Sequence, residues 1–163
     1  MLIISEKKIV KQKIMQMNKL IFFLVLALSG EFCVFSQDDV IKGVWLTGEE
    51  KSQVRIFKAT DGKYYGKIEW LKEDKDKKDI HNPDVSKQNT PLMGLVILRG
   101  FSYDSENKQW EGGTVYDPKK GKTYDCYLWF DGDNKILHLK GYIIGMRFIG
   151  REETWIREDK IRD

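Results

Sequence analysis

The sequence predicts an all-β protein in which eight antiparallel strands close into a barrel. Short segments alternate apolar and polar residues with the period of two that belongs to a half-buried strand. Segments rich in Gly, Asn and Asp, which form tight turns, separate them. No window of similar length shows the 3.6-residue repeat and caps of an amphipathic helix. Closure into a barrel removes the exposed edges of such a meander, and a sandwich of two sheets is the alternative.

The strands follow one another with short turns between most of them. Residues 64–71 place Gly66, Ile68 and Trp70 on one face of a strand, and two later segments repeat this alternation. A pair of glycines at 112–113 lies inside a strand pattern, where glycine marks a bulge or a bend of the barrel. The predicted strands are 40–47, 52–59, 63–71, 93–102, 108–116, 122–130, 135–143 and 147–157.

One long connection, residues 72–91, joins the third predicted strand to the fourth. A loop of this length without a strand pattern is unusual in a compact domain and often serves as a lid or a binding segment. Asn82 before Pro83 is typical of a helix cap followed by a first-turn proline, so we expect a short helical turn over 83–88. We favour a solvated surface loop over a lid or a binding segment for these residues.

The N-terminal region has the three parts of a secretory signal peptide. Lys19 precedes an uncharged, mostly apolar run from Leu20 to Gly30, and the residues before Gln37 are suitable for cleavage. The run has eleven residues, whereas a membrane-spanning helix needs about 20. We therefore predict an N-terminal extension and signal peptide over 1–36 and a single barrel domain over 37–163.

Two details of this region stay open. Translation starts at Met1, Met15 or Met17, because the last two lie just before the apolar run. Cys33 raises the alternative of a lipid anchor, although the residues at 31–32 are not the small ones that normally precede a modified cysteine. The expected location is the periplasm, with secretion or lipid anchoring as alternatives.

The excess of basic residues belongs to the predicted export segment. The chain has 28 Lys and Arg against 25 Asp and Glu, a net charge of +3. Five Lys and two Glu lie in 1–36, which leaves 23 basic and 23 acidic residues in 37–163. This balance removes the support for nucleic acid or an anionic membrane as a partner. Cys126 is the one cysteine of that part, so we expect a small buried side chain there.

No motif of the sequence predicts catalysis, a metal or a cofactor. The acidic residues from Asp74 onwards resemble a calcium loop, but Gly is missing from its sixth position and Glu from its twelfth. The two histidines, His81 and His138, lie far apart, which argues against zinc. The serines lack the context of a nucleophile elbow. We therefore expect a protein that is not an enzyme.

A series of motifs, in a fixed order, resembles the bacterial family known as domain of unknown function 2147. The resemblance covers about residues 41–157 and implies a small exported protein without an established activity. The motifs are Gly43-Val44-Trp45, Tyr65-Gly66-Lys67-Ile68-Glu69-Trp70-Leu71, Asn82-Pro83-Asp84, Pro91-Leu92-Met93-Gly94-Leu95, Trp110-Glu111-Gly112-Gly113, Tyr116-Asp117-Pro118, Gly121-Lys122-Thr123-Tyr124, Lys140-Gly141-Tyr142 and Thr154-Trp155-Ile156-Arg157.

The first of these motifs is also similar to the opening strand of the calycin superfamily, which includes the lipocalins. In lipocalins the Trp of a Gly-any-Trp strand packs under an Arg near the last strand and closes the base of the barrel. The resemblance implies the same role for Gly43, Trp45 and Arg157. The alternative is a core tryptophan and a surface arginine.

The aromatic residues are the candidate ligand contacts. A barrel of eight strands can fill itself with side chains or hold one small ligand. We expect a lipocalin-like barrel that binds a small hydrophobic or amphipathic molecule, with a filled structural or protein-interaction module of the cell envelope as the alternative and an enzyme as the least favoured interpretation. The alternative that we favour for the candidate ligand residues is a role in the core and the turns. The candidate ligand residues are Tyr64, Trp70, Trp110, Tyr116, Tyr124 and Tyr142, and the candidate loop motif is Asn82, Pro83 and Asp84.

Overall fold

A computed structural model describes residues 37–143 and 145–163 of the protein. The predicted extension, signal peptide, start site and Cys33 fall on residues 1–36, outside the described residues. Among the residues described, no helix has the length and apolar character needed to cross a bilayer.

The described residues form a closed antiparallel barrel in which each strand pairs with the next one along the chain. The last strand pairs with the first, with Val44 opposite Glu158, so the barrel prediction is confirmed and the two-sheet alternative is wrong. The strands are β1 (Gly43–Leu46), β2 (Ser52–Lys58), β3 (Tyr64–Leu71), β4 (Val96–Asp104), β5 (Gln109–Asp117), β6 (Lys122–Phe130), β7 (Ile136–Tyr142) and β8 (Gly150–Glu158).

The strand bounds depart from the predicted ones mainly where turns extend into a predicted strand. The first strand begins at Gly43 because Gln37–Ile41 forms a 3-10 helix instead of extended chain. The fourth strand begins at Val96, since Leu95 is held in a turn on Leu92. A second 3-10 helix, Val85–Lys87, lies in the long loop.

The two ends of the barrel differ in what fills them. We call the end that carries the N-terminal 3-10 helix the closed end. Trp45, Tyr64, Phe101 and Trp110 are each no more than 1% exposed and fill this half of the interior. The indole N–H of Trp110 donates to the carbonyl of Asp38 at 3.0 Å, which fixes the 3-10 helix across that end. The opposite end, with the β1–β2, β3–β4, β5–β6 and β7–β8 loops, is called the open end.

Two bulges decide which side chains face the interior. In β3, Ile68 lies opposite Val54 but Trp70 lies opposite Gln53, so Glu69 is one extra residue. Simple alternation predicts the Trp70 side chain on the same face of β3 as Ile68. This prediction is wrong, because the bulge turns the Trp70 side chain to the opposite face of the strand. Trp70 is buried beneath the C-terminal residues, where its indole N–H donates to the carbonyl of Asp163 at 3.0 Å.

The predicted glycine bulge is present in β5. The pairing with β6 shifts between Trp110 and Gly113, and Gly112 has a φ of 73°. A Cβ at Gly113 would lie 2.6 Å from the Phe101 ring and 2.7 Å from the carbonyl oxygen of Arg99. The absence of a side chain at this position therefore allows Phe101 to fill the closed half of the barrel.

Candidate functional site

The closed end is sealed by an arginine on a tryptophan. The Arg157 guanidinium lies over the Trp45 ring, 4.2 Å from its centroid. It donates to the carbonyls of Asn134 at 2.7 Å, Lys42 at 3.0 Å and Val40 at 2.5 Å. A cation over indole gains from the ring quadrupole, and the planar fork of donors suits several acceptors at once. Arg157 thus joins β8 to the β6–β7 turn and to the segment that enters β1.

Gly43 gives this arginine its room. Its φ is +142°, and a Cβ there would lie 2.8 Å from Nη1 of Arg157. Burial lowers the pKa of the Arg157 guanidinium, although this group stays charged at physiological pH. The structure thus brings Gly43, Trp45 and Arg157 together in the arrangement that the lipocalin resemblance implies.

Tyr64 belongs to the closed end as well. Its hydroxyl donates to Oδ1 of Asp39 at 2.8 Å, and Lys58 contacts the same carboxylate at 3.6 Å. Burial, followed by the hydrogen bond to Asp39, raises the pKa of Tyr64. The pKa of Asp39 is lowered, first by the hydrogen bond that its carboxylate accepts from Lys42. This network holds the 3-10 helix on the barrel and stands apart from the open end.

The open end contains a cavity of about 650 Å³. Ligand sites of proteins range from about 300 to 1,000 Å³ and are mostly apolar. The loops of the open end surround its mouth, and polar side chains of those loops lie around it. Its inner wall is apolar and includes Ile68, Leu71, Ile97, Cys126, Leu139 and Trp155.

The cavity exists because small residues occupy inward positions where the closed half has aromatic ones. Cys126 pairs with Gly141, and both line the cavity together with Val115. A Cβ at Gly141 would find Val115 at 3.5 Å and Tyr124 at 3.7 Å, which is ordinary contact. The wall is thus open at this position without being strained.

One polar group of the cavity wall lacks a partner. Trp155 is 2% exposed, and its indole Nε1 makes no hydrogen bond within the part of the chain that the structure describes. A buried donor without an acceptor costs roughly 1–3 kcal/mol. An acceptor atom on a bound molecule would recover that cost if it reached this side chain.

Cys126 contributes an apolar surface to the cavity. It is 1% exposed, and its Sγ lies 3.6 Å from the carbonyl oxygen of Tyr127. Burial raises the pKa of the Cys126 thiol to about 12. Since the thiolate is the reactive form, this cysteine is poorly suited to nucleophilic catalysis.

The long loop is tied across the open end by a buried carboxylate. Asp79 is 1% exposed and accepts from the Tyr116 hydroxyl at 2.8 and 2.9 Å and from Nδ2 of Asn82 at 2.7 Å. Its backbone N–H donates to Thr90 at 2.9 Å. Burial, together with the hydrogen bond to Asp79, raises the pKa of Tyr116 to about 12. Tyr116 on β5 thereby fixes the middle of the loop beside the cavity.

The predicted helical turn of this loop is present but shorter than 83–88. The helix is Val85–Lys87, and its cap is Asp84, whose Oδ1 accepts from the backbone N–H of Ser86 at 3.1 Å. Hydrogen bonds from Ser86 lower the pKa of Asp84 to about 2. Asn82 is not the cap because its Oδ1 already accepts from the N–H of Asp84 at 2.9 Å. Pro83 lies exposed between them.

The structure brings together only part of the predicted aromatic set. Tyr116 and Tyr124 line the cavity. Tyr142 borders the mouth of the cavity, but the centroid of its ring lies 6.1 Å from that of the Tyr127 ring. Tyr127 pairs across the strands with Lys140, whose side chain faces outward. The other three lie elsewhere, at the closed end or beneath the C-terminal residues, namely Tyr64, Trp110 and Trp70.

The prediction missed the small residues of the wall. Cys126 and Gly141 shape the cavity, but a search for aromatic side chains passes over them. The available signal was the change from large to small residues along the inward positions of β6 and β7. Cys126 and Gly141 are one inward position nearer the open end than Leu128 in β6 and Leu139 in β7.

Comparison with known proteins agrees with the architecture. A solved structure, "Protein HP1028 from the human pathogen Helicobacter pylori", described as belonging to the lipocalin family, matches with a TM-score of 0.65 and 25% identity. The match covers 73% of this chain and 83% of that one. The comparison with curated proteins finds no match. A family model matches residues 43–157, and the chain therefore belongs to the family described as "Uncharacterized protein conserved in bacteria (DUF2147)".

Proposed function

We propose that this protein is an exported, non-enzymatic, lipocalin-like barrel that binds a small hydrophobic or amphipathic molecule in the cavity of its open end. The observation that carries the proposal is the cavity of about 650 Å³ with an apolar wall. Burying apolar ligand surface in such a space contributes about 25 cal/mol per Å² before the costs of binding are counted. The cavity favours ligand binding over the alternative, a structural module with a filled barrel.

The polar groups of the site favour an amphipathic ligand over a purely apolar one. The Trp155 indole N–H supplies a donor without a partner among the described residues of the wall. Tyr116 and Tyr124 line the cavity closer to its mouth, with lysines such as Lys77 around them. A molecule with an apolar body and one or two acceptor atoms matches this distribution.

The titratable groups beside the cavity support a role without catalysis. Cys126 has a pKa of about 12, and Tyr116, also near 12, is used to hold Asp79. General acid–base catalysis works best with a pKa close to the working pH. Both groups therefore remain protonated and serve the structure.

Ligand binding is tested with protein purified from its own host under mild conditions. Native mass spectrometry is expected to show a fraction of molecules that carries a small-molecule adduct, released on unfolding. Gly141→Leu places a side chain in the cavity and should remove the adduct. Lys122→Leu, which adds the same side chain at an exposed position of β6, should keep it. Adduct-free protein from every preparation, or equal adduct on both variants, would reject the proposal.

Export is a separate part of the proposal. Lys19, the apolar run from Leu20 to Gly30 and the residues before Gln37 support it. The expected product begins at Gln37, which the intact mass of the protein in an envelope fraction measures. Retention of residues 1–36 contradicts export by cleavage at this site, and an added lipid mass shows the alternative of anchoring through Cys33.

A further inference from the structure

Two loops of the open end, β3–β4 and β7–β8, carry an unusual group of exposed apolar side chains. They contain five of the eight large apolar residues that are exposed in the described chain: Phe148 at 79%, Ile80 at 60%, Ile143 at 55%, Ile149 at 51% and Met146 at 39%. Ile80, Ile143 and Ile149 line the mouth of the cavity, and Met146 and Phe148 lie in the loop between the last two. We call these five the apolar rim. Single exposed apolar residues are common, whereas a group of them marks a contact surface. We propose that the apolar rim docks the open end onto the surface of an anionic phospholipid bilayer.

The rim is held in place by the barrel wall. Nη2 of Arg147 donates to Glu111 at 2.9 Å, and its guanidinium lies 4.5 Å from the centre of the Tyr127 ring. Two turn hydrogen bonds of 2.9 Å close the backbone around Met146. Arg147 is thus fixed on the outer wall, and the neighbouring Phe148 lies exposed in a defined turn. A preformed apolar protrusion loses little conformational entropy when it enters a lipid surface.

The charge around the mouth complements anionic head groups. Among the residues that line the cavity and its mouth, basic side chains outnumber acidic ones by seven to four. Lys72, Lys77 and Arg151 are exposed, and none of them forms an ion pair with another described residue. Residues 37–163 are neutral as a whole, so this basic excess is local to the open end. Basic side chains beside apolar ones are the combination that binds anionic interfaces.

The same charges argue against a second copy of the chain as the occupant. Two open ends placed face to face would bring Lys72, Lys77 and Arg151 of both copies together, and like charges across an interface oppose association. A bilayer of anionic lipid attracts them instead. Ile143 and Ile149 also line the cavity, so an apolar surface runs from the rim into the barrel.

The test measures the rim directly, in the protein as it is isolated from its own host, whether or not residues 1–36 are retained. Hydrogen–deuterium exchange of residues 145–151 is followed while vesicles are added. Vesicles of equal parts phosphatidylglycerol and phosphatidylcholine should slow this exchange, and added salt should reverse the effect. Phosphatidylcholine alone should leave it nearly unchanged. Because the readout is local, attachment of residues 1–36 to the vesicles does not imitate docking of the rim.

Two isoleucines with the same exposure provide a matched pair of variants. Ile149 on the rim and Ile156 on the outer barrel wall are both 51% exposed. Ile149→Ser should raise the lipid concentration for half-maximal protection several-fold, and Phe148→Ser should raise it roughly tenfold or more. Ile156→Ser should behave as the unchanged protein does.

Three results would overturn the docking proposal. Exchange of residues 145–151 that does not respond to anionic vesicles is one of them. Equal effects of Ile149→Ser and Ile156→Ser are another. Protection that grows with protein concentration in the absence of vesicles would assign the rim to self-association instead. The proposal does not depend on ligand binding, because Gly141→Leu should empty the cavity of ligand and leave vesicle protection intact.

Discussion

Replacing Arg157 by alanine should destabilise the barrel more than replacing any ordinary surface arginine. The substitution removes a cation that lies 4.2 Å from the Trp45 ring and three donors to backbone carbonyls. A hydrogen bond from a charged donor contributes about 1.5–3 kcal/mol, and the cation on the ring adds about 0.5–1 kcal/mol. Water replaces part of these contacts because the site is only half-buried. We expect the free energy of unfolding to fall by about 3 kcal/mol.

Urea unfolding followed by tryptophan fluorescence measures this change. Arg151→Ala is the control, since Arg151 is exposed and makes no ion pair with the described residues, and its effect should stay within about 0.5 kcal/mol. Arg157→Lys keeps the positive charge over Trp45 but lacks the fork of donors, so its loss should be intermediate. The m-value should remain constant through the series, because the surface exposed on unfolding hardly changes.

A small loss would refute the reasoning. If Arg157→Ala and Arg151→Ala both cost less than about 0.5 kcal/mol, the arginine merely covers the barrel end without stabilising it. If Arg157→Lys is as stable as the unchanged protein, charge over Trp45 accounts for the whole effect. The three hydrogen bonds to Asn134, Lys42 and Val40 would then contribute nothing net.

Three further predictions concern other parts of the barrel. Gly113→Ala should cost about 1–3 kcal/mol in urea unfolding, because its Cβ would lie 2.6 Å from the Phe101 ring; a neutral result would contradict the close packing of the bulge. Tyr116→Phe should speed hydrogen exchange of residues 77–92, because it leaves the buried Asp79 carboxylate without that donor. The pKa of Tyr116 is raised from 10.0 to about 12, so the stabilisation by this hydroxyl is complete below pH 10.0 and is lost as the pH rises through about 12. The stabilities of the unchanged protein and of Tyr116→Phe should therefore converge over this range. Cys126 should resist iodoacetamide at pH 8 in the folded protein and react after unfolding, as peptide mapping reports; rapid labelling of the native protein would contradict a pKa near 12.

The strand positions were predictable because their signals are local. Alternation over 122–130 gave the bounds of β6, and the turns around it carry their own signals in Gly and Asp. Closure into a barrel also followed, since an eight-strand meander with one apolar face needs its edges covered. The first strand was predicted too early because Gln37–Ile41 forms a 3-10 helix, which packing on the closed end stabilises.

The candidate site was less predictable because it depends on which residues meet across the barrel. Trp70 failed as a lining residue because of one extra residue in β3, and a bulge reverses every position after it. Asp79 looked like one more charge in a solvated loop, yet it is buried because Tyr116, 37 residues away in sequence, donates to it. Gly141 matters through the side chain it lacks, which a search for chemical groups does not detect.

The sequence by itself determined the number and order of the strands, the turns between them, and the Gly43, Trp45 and Arg157 positions that lie at the closed end. Those features are encoded in neighbouring residues or in a short motif, so they can be recognised without a fold. Tertiary structure alone decided that one half of the barrel is filled and the other holds a cavity. It also decided that Ile80, Ile143 and Ile149 line the same cavity mouth as Lys72, Lys77 and Arg151. Both depend on where eight strands place their side chains in space, and that placement joins residues far apart in the chain.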